Sequence, residues 1–98
     1  MQVEHARKDL ERLEADPAFH AGFARDVVVA YRKRMQLIRA AQDERDFYAL
    51  KSLRFEKLKG ARAHQRSMRL NDQWRLIIEI KQASPKNIIR IVAIEDYH

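Results

Sequence analysis

The chain has 98 residues, no cysteine, 46% hydrophobic and 35% charged residues, and a formal net charge of +6. That is enough chain for one domain with one modest core, and it excludes disulfide frameworks and cysteine-based metal or nucleophile sites. The opening MQVEHARKD lacks the apolar stretch of a signal peptide, and no apolar run approaches the roughly 18–20 residues that span a bilayer, so the expected setting is cytoplasmic with no membrane partner.

In chain order, Gln2 to Ala6 reads as a short strand, weakened by Glu4 and His5. Lys8 to Ala15 reads as a helix, with Leu10 and Leu13 inward and Asp9, Glu11 and Glu14 outward. Asp16-Pro17 breaks it and Gly22 marks a bend. The longest helix runs from Phe23 or Ala24 to about Ala41, with Val27, Tyr31, Met35 and Ile38 as its apolar stripe. Arg25, Arg32 and Arg39 form a basic stripe beside it, read as a solvated helix face. Asp43 to Leu50 reads as a short helical turn with Phe47, Tyr48 and Leu50 turned inward.

Phe55 and Leu58 are expected to pin the next loop to the core, and Gly60 to supply a positive φ or a close backbone approach. Then the period changes to two. Arg66, Met68 and Leu70 share one strand face, Ser67 and Arg69 the other. Asn71-Asp72-Gln73 is turn chemistry and makes a hairpin with Trp74–Lys81, whose Leu76-Ile77-Ile78 run suggests a central strand covered on both faces. A second turn at Ala83 to Asn87 leads to a last strand, Ile88–Ile94, rich in β-branched residues. The expected fold is α+β over residues 1–98: N-terminal helices packed on an antiparallel sheet of three to four strands.

The positive charge is local. Lys51 to Arg75 holds eight basic residues (Lys51, Arg54, Lys57, Lys59, Arg62, Arg66, Arg69 and Arg75) against Glu56 and Asp72, while the remainder is neutral. A basic tract in a balanced chain suggests a specific polyanion site. There is no Walker loop, GxGxxG, HExxH or GxSxG, the four histidines show no metal-ligand spacing, and the carboxylates do not cluster as they would to hold Mg²⁺. No cofactor is expected. What remains is the Lys/Arg tract and the closing Asp96-Tyr97-His98, an inventory suited to metal-free RNA cleavage. There the 2′-OH attacks the adjacent phosphorus with help from a base, an acid and cations around the charged transition state. The same residues also suit plain structural roles, since strand arginines often pair with carboxylates and a Tyr after a strand is often core.

Leu58-Lys59-Gly60, then Ser67-Met68-Arg69-Leu70-Asn71-Asp72-Gln73-Trp74-Arg75, then Glu95-Asp96-Tyr97-His98 together resemble the HigB branch of the RelE/ParE toxin superfamily. The likeness covers about the last 45 residues in order and spacing, and the helical first half in layout. It implies a compact α+β toxin of a type II toxin–antitoxin pair that enters the ribosomal A site and cuts mRNA there. It also implies a helix-turn-helix, HigA-like antitoxin as partner. Carried over by position, Lys59, Arg75, Asp96, Tyr97 and His98 would form the catalytic site. His98 would be base or acid, Lys59 and Arg75 would hold phosphate, Tyr97 would stack on or orient substrate, and Asp96 would orient His98. Arg62, Arg66, Arg69 and Asn71 would bind RNA. Some members carry a His just before the Leu-Lys-Gly step, where this chain has Phe55-Glu56-Lys57. Two other functions fit the same scaffold: a ParE-like gyrase poison, and an RNA- or ribosome-binding module without catalysis.

Overall fold

In the computed structural model residues 1–96 are described; Tyr97 and His98 lie outside the described residues. The chain runs β1 (Gln2–His5), α1 (Lys8–Ala15), α2 (Arg25–Ala40), α3 (Arg45–Ala49), β2 (Glu56–Lys57), β3 (Gln65–Arg69), β4 (Trp74–Lys81) and β5 (Ile88–Asp96). Short 3-10 turns occupy Lys51–Leu53 and Gly60–Arg62.

The meander of β3, β4 and β5 is antiparallel throughout, as the change of period predicts. Leu76, Ile77 and Ile78 are all buried, so β4 is indeed covered on both faces. The sheet is larger than expected, with five strands in the order β1-β5-β4-β3-β2. It is also mixed, because β1 lies parallel to β5, pairing Gln2 with Ile88 and His5 with Ile91. The two-residue β2 at the other edge was not expected at all. It is too short to show a period and exists because β3 offers it an unpaired edge.

One face of the sheet carries Met68, Leu76, Ile78, Ile89, Ile91 and Ile94 into a core shared with Leu10 and Leu13 of α1 and Val27, Tyr31, Met35 and Ile38 of α2. Fully burying such a side chain contributes about 1.5–3 kcal/mol. The Tyr31 hydroxyl donates to the Leu10 carbonyl at 2.8 Å, and burial pushes its phenol above the ordinary range.

The basic stripe of α2 is solvated at Arg25 and Arg39, as expected, but Arg32 is half-buried and two of its members are engaged. Arg32 reaches the carbonyls of Leu13, Asp16 and Phe19, fixing the turn that follows α1. Arg39 grips both carboxylate oxygens of Glu14, at 2.6 and 2.9 Å. Nor are all three apolar residues of α3 inward. Phe47 is fully buried, but Tyr48 is 53% and Leu50 43% exposed. A single helical turn offers one inward position, and the next residue is rotated about 100° away from it. Phe55 does pin the following loop to the core, while Leu58 is only half-buried. Gly60 has φ +66°, and a Cβ there would meet nothing within 4 Å, so the turn rather than a close approach explains the glycine.

Candidate functional site

The hairpin of β3 and β4 builds the site. Asn71 closes it, its side-chain oxygen accepting the backbone N–H of Gln73 (2.9 Å) and Trp74 (2.7 Å), the local bonding for which Asn is selected in turns. Its amide nitrogen donates to Asp26 at 2.9 Å, tying the turn to the first turn of α2. The resulting register places Arg69 directly opposite Arg75. Both project from the sheet face away from the core, with Ser67 beside them.

Arg75 is only 5% exposed, and three of the contacts of its guanidinium are to neutral acceptors. Its Nη2 donates to the Arg54 carbonyl (2.6 Å), the Ser67 hydroxyl (2.7 Å) and the Ser67 carbonyl (3.5 Å). Above it lies a cleft of about 100 Å³ lined by Arg54, Arg69, Asn71, Asp72 and Arg75. Arg69 is paired with Asp72, which offsets the repulsion between two arginines facing each other across the strands. A fourth guanidinium stands close behind: Arg34 donates to the Arg69 carbonyl at 2.9 Å. Burial, then the charge of Arg69, pulls the Arg34 pKa below its usual range.

The structure therefore brings Arg75, Arg69 and Asn71 together, although Asn71 is occupied in holding the turn. Asp96 ends β5 opposite Trp74 and accepts from the Gln73 side chain at 3.1 Å, so the strand delivers it to the same end of the sheet. Arg62 reaches across from the β2–β3 connection to Glu95 (2.8 Å), the residue opposite Arg75 on β5, while also donating to Gln65. Arg66 goes elsewhere. Strand alternation turns it to the other face from Arg69, where it donates to the Ala63 and Gln65 carbonyls. Lys59 is exposed beyond the end of β2. The N–H of Leu58 meets the Gln65 carbonyl, so Lys59 leaves the sheet four residues along β3 from Arg69, roughly 13 Å. Lys59 does not line the cleft at Arg75. The Tyr97 and His98 assignments lie outside the described residues.

Two contributors were not foreseen from sequence: Ser67 and Arg54. Ser67 carried a signal, a small polar residue on the same face as Arg69. The Arg54 carbonyl carried none, since a backbone group shows nothing in sequence. Two larger open grooves, of about 600 and 630 Å³, flank α2 and include Arg25 and Val29, but neither touches Arg75. Among the described residues no group of three or more His, Asp or Glu is placed to hold a metal ion, and no helix is long and apolar enough to cross a membrane.

Among solved structures the chain is similar to a YoeB/ParE toxin from Agrobacterium tumefaciens, with TM-score 0.60, 15% identity and 100% of both chains covered. It is also similar to YafQ from E. coli strain BL21(DE3), with TM-score 0.57, 14% identity, and 97% of this chain and 91% of that one covered. At these identities the likeness is one of fold, and it defines the class as the small α+β domain that those two toxins share. A family model described as the RelE-like toxin of the type II toxin–antitoxin system HigB matches residues 3–97. The chain belongs to that HigB-like toxin family and is thus a toxin of a type II toxin–antitoxin pair, for which the family implies an antitoxin partner. No curated protein matches it.

Proposed function

We propose that this toxin is a ribosome-dependent endoribonuclease acting on mRNA. The observation that carries the reading is the Arg75 guanidinium, fixed by Arg54 and Ser67 at the floor of a small arginine-lined cleft, at the end of the sheet where β5 delivers Asp96. A donor held rigidly before reaction stabilises developing phosphorane charge without reorganising. In this reading the 2′-OH gives its proton to a base and its oxygen bonds to phosphorus. The bond to the 5′ oxygen then breaks as an acid protonates it, leaving a 2′,3′-cyclic phosphate and a 5′-OH. His98 takes one of the proton-transfer roles, with Asp96 and Tyr97 orienting it and the substrate. Arg75 holds the phosphate at the cleft, and Lys59, outside it, contacts phosphate farther along the RNA strand. A helix-turn-helix antitoxin neutralises the toxin.

The cleft is small and open, so alignment of the 2′-OH for in-line attack falls to the ribosome, an orientation effect worth about 7–11 kcal/mol at most. Primer extension on mRNA from cells briefly expressing the protein tests the reading. Cuts within translated codons, absent from the same transcript lacking a start codon, are expected. Growth arrest with intact mRNA, or equally fast cutting of ribosome-free mRNA by the purified protein, overturns it.

A further inference from the structure

We propose that Tyr48 and Arg54 form a subsite for one nucleotide of a single-stranded RNA beside the Arg75 cleft, with Tyr48 stacking on a base and Arg54 contacting a backbone phosphate. It rests on the reading above for its place in the reaction, and on separate observations for its existence.

Arg54 adopts φ +46° and ψ +51°, left-handed backbone that a residue other than glycine enters at a cost. That turn aims its carbonyl at the Arg75 guanidinium. A glycine would satisfy the carbonyl's role with less strain; only the side chain distinguishes arginine here. That side chain is exposed, lines the cleft, and has no hydrogen bond or ion pair among the described residues. Arg69 and Arg62, by contrast, are both paired with carboxylates.

The next residue, Phe55, ties Arg54 to an aromatic shelf. Tyr48 sits edge-on against Phe55 with ring centroids 4.7 Å apart, and Phe47 packs the same ring at 5.4 Å. Phe47 and Phe55 are core residues, so Tyr48 is a ring braced from below and 53% open to solvent. A braced, exposed ring packed on the residue that follows an arginine with no hydrogen bond or ion pair among the described residues supplies the two elements that bind single strands, stacking on any base and tracking the backbone. An acidic protein would use the cations but has no need of the ring's open face.

The test is fluorescence anisotropy of a labelled single-stranded RNA oligonucleotide binding to the full-length protein over a range of salt, with thermal unfolding as a fold control. Tyr48→Ala is expected to weaken binding roughly tenfold, with Tyr48→Phe close to wild type. Arg54→Ala is expected to lower the slope of log K against log salt by about 0.7, one phosphate contact on a single strand, while Tyr48→Ala leaves it unchanged. Arg54→Gly should lower the slope equally while unfolding at the same or a higher temperature, and Arg54→Lys should restore the slope. Wild-type affinity in Tyr48→Ala, or a wild-type slope in Arg54→Ala, overturns the subsite. So does a loss confined to binding of a polyglutamate peptide, which would mark an acidic-protein surface. RNA binding that responds as expected in a protein that never cuts ribosome-bound mRNA overturns the proposed nuclease and leaves the subsite standing.

Discussion

The Nη2 of Arg75 donates to the carbonyl oxygen of Arg54 across 2.6 Å, joining two residues 21 positions apart. The bond locks the loop after Lys51–Leu53 onto the central strand β4. It also ties the position of the buried cation to a backbone turn and to Ser67.

Ser67→Ala removes a buried hydroxyl acceptor from a charged donor. The expected loss is about 1.5–3 kcal/mol of folding stability, as for other hydrogen bonds to charged groups, read from urea unfolding. If Arg75 acts on the substrate, cleavage falls as well, in kcat more than in KM, because a loosened donor costs transition-state stabilisation. Unchanged stability and rate would show that the Ser67 hydroxyl is not needed to fix Arg75.

Asn71→Ala removes the acceptor for two turn N–H groups and the link to Asp26. A destabilisation of about 1–2 kcal/mol is expected, comparable to losing a helix cap. RNA affinity should stay close to wild type wherever the variant is folded, since Asn71 is committed to the turn. Asp26→Ala should give a smaller loss, and the two should be non-additive when combined, as expected of directly bonded residues. A clearly weakened RNA affinity in folded Asn71→Ala would return this residue to the RNA-contacting set.

Glu14 gives a pH dependence of folding. The side-chain hydrogen bond from Arg39 holds its carboxyl below the ordinary 4.5, against the opposing effect of burial. A depressed folded value stabilises the protein above the unfolded value, and that stability is lost as pH falls through the folded one. The melting temperature should therefore drop on acidification below about 4.5, and Glu14→Gln should flatten that drop while lowering stability at neutral pH. Asp16 and Asp43 are shifted the same way, but their partners Arg12 and Arg45 are open to solvent, which screens the pairs, so they contribute little. An unaltered acid profile in Glu14→Gln would remove this pair from the account.

His98→Ala is expected to lower single-turnover cleavage on saturating ribosome–mRNA complex by roughly 10²–10⁴-fold, the usual contribution of a positioned acid or base. Arg75→Ala should also lose rate, and with it stability, since Ser67 and Arg54 lose their donor. Equal rates for wild type and His98→Ala would move proton transfer to Tyr97, Lys59 or Asp96.

The sequence by itself determined the meander and its neighbours. Alternation through Arg66–Leu70, the Asn71-Asp72-Gln73 turn and the β-branched run of β4 are local signals, and local signals determine hairpins. They also fixed which face Arg69 shares with Ser67, and so separated Arg66 from both. The helical stripe Val27, Tyr31, Met35 and Ile38 was equally plain, because burial of one helix face leaves a period in the residues.

Only the tertiary structure decided the rest. The parallel pairing of β1 with β5 joins residues more than eighty positions apart, and neither strand's pattern names its partner. The engagement of Arg32 and Arg39 was hidden because their acceptors, the end of α1 and Glu14, come from another helix. Tyr48 looked buried because hydrophobicity alone cannot say which residue of a single helical turn meets the core. The anchoring of Arg75 is the clearest case: a buried cation is set in place by a carbonyl oxygen, and every residue has one, so composition cannot mark the one that the fold will use.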